Sequence, residues 1–249
     1  MEKNISILNF TNLYKSDDFL EITKNHRFLD LSGLNGTNCI CDDIAKENIK
    51  NLITENNIKA DSIHIIDNGN YHYMSAIFGS LIDFPFNLIY FDNHPDMKES
   101  FFGSVLSCGS WVKNLKSENK NLRNVFAIGI NETLYEEIDD ADKENVTRIY
   151  GDYEDIIEEL RMCGAFNYPI YLSIDKDVLD KKYIDTNWDQ GCMDDSTLLD
   201  SVRFISSNSN LIGVDICGGP LDDGISLFED SQKQNKAFDL KLLERILIE

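Results

Sequence analysis

Along most of this chain, short apolar runs alternate with stretches whose apolar residues recur every three or four positions. The runs at residues 62–66, 87–91, 124–128, 147–150, 169–174 and 211–216, with Ile5-Ser6-Ile7-Leu8 and Phe28-Leu29-Asp30-Leu31 before them, have the length of strands. Between them, residues 42–54 carry apolar residues at Ile44, Ile49, Leu52 and Ile53 and read as a helix that Asp42 or Asp43 can cap. The spacing also predicts helices over 71–82, 107–115, 132–140, 153–163, 195–205 (capped by Asp194 or Asp195) and 234–248. Strands alternating with helices predict an α/β fold whose mostly parallel sheet is covered on both faces. In such sheets ligands gather beyond the carboxyl ends of the strands.

Composition narrows this picture. At 249 residues and 42% hydrophobic content, the chain can bury one sizeable core, and residues 1–249 are expected to form a single domain. With four prolines and no Gly/Ser-rich linker, no boundary is marked. A net charge of −21 repels phosphate backbones and anionic lipid, which argues against nucleic acid and membrane surfaces as partners. No run approaches the roughly 20 apolar residues of a membrane span. Met1-Glu2-Lys3-Asn4 lacks the layout of a signal peptide, so a cytoplasmic location is expected. The six cysteines then read as free thiols, and Cys39-Ile40-Cys41, with one intervening residue, reads as structural.

The chemistry sits where two of the apolar runs end. Phe91-Asp92-Asn93-His94-Pro95-Asp96 follows one, and Ser173-Ile174-Asp175-Lys176-Asp177 follows another. Asp92, His94 and Asp96 are spaced i, i+2, i+4, and Pro95 disfavours a helix there, so an extended segment would turn all three to one side. Asp175 and Asp177 repeat the i, i+2 logic. Four carboxylates held a few ångströms apart repel one another strongly at low dielectric unless cations lie between them. Two divalent ions carry the matching charge. His72, after the strand at 62–66 and in the predicted first turn of the next helix, offers a second imidazole. His64 falls inside that strand and reads as a packed core residue, and His26 is given no role.

In this order the segments Asn68-Gly69-Asn70-Tyr71-His72, Asp92-Asn93-His94-Pro95-Asp96, Ser173-Ile174-Asp175-Lys176-Asp177 and Val214-Asp215-Ile216-Cys217-Gly218 resemble the motifs of the ureohydrolase superfamily, which includes arginase, agmatinase and formimidoylglutamase. The resemblance covers roughly residues 60–220 and is that of a divergent member. It implies a three-layer α/β/α fold with a mostly parallel central sheet and a dinuclear Mn²⁺ centre, two ions per subunit. His72, Asp92, Asp96 and Asp175 would hold one ion, and His94, Asp92, Asp175 and Asp177 the other. It further implies attack of a metal-bridging hydroxide on a linear amidine, guanidino or amide carbon of a small-molecule substrate, and it favours a homo-oligomer. Asp96 and Cys108 are the candidate catalytic residues.

Two positions depart from the family pattern. The proton-shuttling histidine of the family's His-Gly pair is replaced by Cys108, ahead of Gly109, and the guanidinium-receiving glutamate after Val-Asp-Ile is replaced by Gly218. Arginine and agmatine therefore lose their usual partner. Trp188, Asp189 and Gln190, in the loop after the second cluster, are candidate substrate-binding residues. The rival reading is a catalytically inactive, metal-stabilised relative acting as a binding protein. A calcineurin-type phosphoesterase has its elements in another order, and a deacetylase-like hydrolase needs a His-His pair that this chain lacks.

Overall fold

The computed structural model describes residues 4–14, 26–99, 105–221 and 228–247. Eight parallel-paired strands form the central sheet: β1 (Ile5–Asn9), β2 (His26–Asp30), β4 (Ile63–Ile66), β5 (Phe86–Phe91), β7 (Leu122–Ile128), β8 (Val146–Ile149), β9 (Ile170–Asp175) and β10 (Leu211–Cys217). Their order is β2-β1-β4-β10-β9-β5-β7-β8. Two dipeptide strands, β3 (Ile40–Cys41) and β6 (Leu106–Ser107), pair separately and antiparallel. The helices are α1 (Asp43–Glu55), α2 (Met74–Gly79), α3 (Trp111–Glu118), α4 (Glu132–Glu136), α5 (Tyr153–Met162), α6 (Asp195–Asn208) and α7 (Phe228–Ile246).

Strand residues alternate between the two faces of the sheet. From β5, Ile89 and Phe91 enter a core shared with Ile156 and Leu160 of α5, Leu198 and Val202 of α6, and Phe238 and Leu242 of α7. Phe86, Leu88 and Tyr90 enter the opposite core, with Ile49 and Ile53 of α1, Met74 and Phe78 of α2, and Trp111 and Leu115 of α3. The fold is thus the three-layer α/β/α architecture, with the predicted parallel sheet between two helical layers. No helix of the described residues is long and apolar enough to cross a membrane.

Several expectations need correction. The helix predicted over 71–82 is a 3₁₀ turn at Gly69–Tyr71 followed by α2 alone. The segment predicted as one helix from residue 107 opens instead with β6 and a 3₁₀ turn, Cys108–Ser110, before α3. Asp42 caps α1 through the Ala45 amide as expected. Asp194 precedes α6 without a side-chain cap bond, its carboxylate taken by Tyr183 and Lys182. Residue 248, the predicted end of the closing helix, lies outside the described residues.

Candidate metal centre

β5 and β9 are neighbours, with Phe91 opposite Ile174. Asp92, the next residue after β5, therefore lies against Asp175 at the carboxyl edge, and Asp96 and Asp177 follow within their loops. The first loop is bent rather than extended. Asp92 Oδ1 accepts the His94 amide at 2.6 Å, Tyr90 Oη donates to the Pro95 carbonyl at 2.9 Å, and Asp96 has φ +50°. Convergence thus comes from a turn and a left-handed aspartate rather than from the pleat assumed from the spacing. The second loop turns in the same way, with Asp175 Oδ1 accepting the Asp177 amide at 3.0 Å, while Asp177 Oδ1 accepts the Asn93 amide at 3.0 Å. Each aspartate cluster holds its own loop, and one crosses to the other.

His72 closes the 3₁₀ turn that Asn68 caps, just ahead of α2. Its Nδ1 lies 3.2 Å from Asp92 Oδ2, 3.2 Å from Asp96 Oδ2 and 3.3 Å from Asp175 Oδ2. His94 Nδ1 lies 2.9 Å from Asp177 Oδ2 and 3.5 Å from Asp92 Oδ1. Two groups of side-chain atoms with metal-ligand spacing result, His72-Asp92-Asp96 and Asp92-His94-Asp177, joined through Asp92. Of these five side chains and the adjacent Asp175, all are buried except His94, which is 22% exposed. His72 Nε2 sits 2.9 Å from Ser173 Oγ, which Ser75 Oγ also meets, and Trp111 Nε1 donates to Asp96 Oδ2 at 2.5 Å. An imidazole that gives its Nε2 proton to Ser173 presents a lone pair at Nδ1.

The donor set fits divalent cations. One imidazole nitrogen carries at most one proton, yet His72 Nδ1 faces three carboxylate oxygens, and buried Asp92 Oδ2 has no hydrogen-bond partner. Oxygen and imidazole donors suit hard or borderline ions. Without cations, protons carry the balance. Burial lowers the His72 imidazole, but the facing carboxylates of Asp92 and Asp96 outweigh it and hold it well above its usual range. His94 is likewise pushed up to about 12, burial being outweighed by Asp177 and Asp92. Asp96 rises to about 7 through burial and the charge of Asp92. Burial also raises Asp175 and, with the charges of Asp175 and Asp92 added, Asp177. Asp92, facing both imidazoles, ends below the usual carboxylate range despite its burial.

These side chains line one cavity of about 390 Å³, together with Cys39, Cys108 and Trp188. Residues 64–218 match the model of the arginase family. The chain belongs to the arginase family. An uncharacterized protein of Thermotoga maritima is 33% identical over 174 residues, 70% of this arginase-family chain and 64% of that protein. An agmatinase of Bacillus cereus is 31% identical over 134 residues, 52% and 45% of the two chains. The matches thus span less than two thirds of these relatives' own lengths. In fold, the agmatine ureohydrolase of Thermoplasma volcanium superposes with a TM-score of 0.68 at 16% identity, over 98% of this chain and 88% of that one.

The residues in which this arginase-family chain departs from the motifs are placed as follows. Cys108 lies at the cavity wall. Gly218, at φ +90°, leaves no room for a side chain, since a Cβ there would stand 2.3 Å from Asp175 Oδ1 and 2.8 Å from the Lys176 amide. Trp188 also borders the cavity, edge-on to His94 at 5.9 Å and bonded through Nε1 to Asn70. Asp189 and Gln190 do not line it: Asp189 is exposed, and the Gln190 amide is spent on the Leu179 and Ile184 carbonyls of its own loop. His64 is a core residue as expected, stacked on Phe78 and paired with Asp215 at 2.7 Å, which Tyr171 Oη also meets.

Sequence reasoning missed four side chains here. Trp111 and Ser173 orient the ligand candidates Asp96 and His72. Lys176, fully buried between the two aspartates, bonds Asn235 and Asp239 of α7 and so fastens that helix beneath the site. Cys39 was grouped with Cys41 as structural. Cys41 is buried in the core, but Cys39 lines the cavity with Cys108, whose amide donates to the Cys39 carbonyl at 2.9 Å.

Proposed function

We propose that the chain is a dinuclear, manganese-dependent hydrolase of a linear amidine, guanidino or amide C–N bond in a small molecule other than arginine. The observation that carries this reading is the convergence of four buried carboxylates and two imidazole Nδ1 atoms at one cavity. His72, Asp92, Asp96 and Asp175 would hold one ion, and His94, Asp92, Asp175 and Asp177 the other. Bound divalent ions would supply Lewis acidity and bring the pKa of a shared water near neutrality.

The remaining work falls to the chain itself. Trp111 and Ser173 fix Asp96 and His72, so that little reorganisation is needed at the reacting centre. Trp188 walls the entrance beside His94. The closed space at Gly218 leaves a guanidinium or amidinium cation without a carboxylate at that position, which favours an uncharged group such as an amide. Expulsion of the amine needs a proton. Cys108 Sγ–H would deliver it to the departing nitrogen, and the proton would be replaced from Cys39. The hydrogen bond from Cys108 lowers the Cys39 thiol to about 7, whereas its bond to Cys39 and burial push the Cys108 thiol up.

The test is metal analysis of the purified protein followed by an ammonia- and urea-release screen in manganese. Two ions per chain and turnover of at least one amidine, guanidine or amide are expected. Asp92→Asn and Asp175→Asn should each lose at least one ion and most of the thermal stabilisation by metal. Unchanged metal content in both variants would contradict the assignment. Full metal loading with no turnover across the panel would favour the inactive, metal-stabilised binding protein, which the replacements at Cys108 and Gly218 motivate.

A further inference from the structure

We propose that Cys39 and Cys108 form a reversible disulfide across β3 and β6 at the wall of the metal-site cavity. The register of the small sheet sets Ile40 opposite Ser107 and Cys41 opposite Leu106, so the next pair outward is Cys39 with Cys108. The Cys108 amide confirms it, donating to the Cys39 carbonyl at 2.9 Å. Both cysteines flank the two-residue ladder, and this amide–carbonyl bond keeps their backbones close enough for the roughly 4.4–6.8 Å Cα separation that a disulfide spans. Both side chains line the same cavity. Cys39 is also held at φ +59°, a conformation seldom adopted by residues other than glycine, aspartate or asparagine.

The other four cysteines are placed differently. Cys41 and Cys217 are buried, Cys163 and Cys192 are exposed, and none of them lines the cavity. Cys39 and Cys108 are half-buried and open onto a space large enough to admit a small disulfide. The reaction is thiol–disulfide exchange with a low-molecular-weight disulfide. The Cys39 thiolate attacks one sulfur of the reagent and releases the first reagent thiolate. The Cys108 sulfur, losing its proton, then attacks Cys39 Sγ and expels the second. The two cysteine protons end on the two reagent thiols, and a small dithiol reverses the sequence. The cross-link does not depend on the hydrolase reading. Its effect on turnover does, because oxidation would remove the S–H proton donor from the cavity wall.

The experiment treats the metal-loaded 249-residue chain with glutathione buffers of increasing oxidised fraction, quenches in acid, alkylates the free thiols under denaturing conditions and maps the peptides by mass. The expected product is a Cys39–Cys108 cross-linked peptide, two hydrogens lighter than its parts, with Cys41 and Cys217 still alkylated. In Cys108→Ser, Cys39 should stop at a mixed disulfide carrying one glutathione. Two outcomes would overturn the proposal: both thiols staying reduced in buffers that glutathionylate Cys163 and Cys192, or Cys39 and Cys108 each ending as a separate glutathione adduct. A cross-linked protein with no hydrolase activity in either redox state would leave the disulfide standing and count against the hydrolase alone.

Discussion

Gly218→Ala tests whether this position is closed to side chains or merely lacks the family's glutamate. The substitution adds one methyl group at φ +90°, 2.3 Å from Asp175 Oδ1 and 2.8 Å from the Lys176 amide. The left-handed backbone costs an L-residue about 1–2 kcal/mol. The contact at Asp175 costs about 1–3 kcal/mol more, as overpacking in a filled core does, because one of the two neighbours is backbone. Together these predict a loss of about 2–5 kcal/mol, or a melting temperature lower by roughly 5–15 °C in a chain of this size. The displaced carboxylate is also the one whose Oδ2 faces His72 at 3.3 Å, so manganese content should fall along with stability. Gly109→Ala is the control, since a Cβ there meets nothing within 4 Å, and its change should stay within about 0.5 kcal/mol. Denaturant unfolding and elemental analysis of both variants read the outcome. A Gly218→Ala protein as stable and as metal-rich as the parent would refute the argument and reopen the position to a glutamate.

Three further expectations follow from the same geometry. Lys176→Met should destabilise the protein by about 3–5 kcal/mol, because it strands the buried carboxylate of Asp239; adding Asp239→Asn should recover part of that loss in denaturant melts, and additive losses would speak against the pairing. Manganese affinity should rise with pH through neutrality, because binding must expel protons that the metal-free site holds on His94, pushed up to about 12, and on Asp96, up to about 7. Calorimetry in buffers of different ionisation enthalpy checks the sign, and binding without proton release would oppose it. Cys108→His should increase any C–N hydrolysis several-fold if proton delivery limits the rate, and a folded, metal-loaded variant with no gain would remove Cys108 from that role.

What could be read from the sequence was local. The strands at 87–91 and 169–174 announce themselves as continuous apolar runs, and each aspartate cluster follows its strand directly, so fold class and the location of the site came from spacing alone. The details failed wherever a partner lies far along the chain. The i, i+2, i+4 pattern correctly gathered Asp92, His94 and Asp96, but for the wrong reason: the pleat was assumed, whereas a bend fixed by the His94 amide and a left-handed Asp96 brings them together. The sequence assigned Lys176 no role, and only the packing of α7, with Asp239 63 residues on, turns it into a buried, paired cation. Gly218 read as a missing glutamate, because a residue code records which side chain is absent and not whether one would fit. Cys39 and Cys108 sit in segments that carry no strand periodicity, since a two-residue ladder is too short to show one. Their pairing comes from antiparallel register, which no spacing within either segment encodes. The contacts that shape the candidate site are of this long-range kind, and the disulfide mapping probes the one proposed between two cavity-lining cysteines.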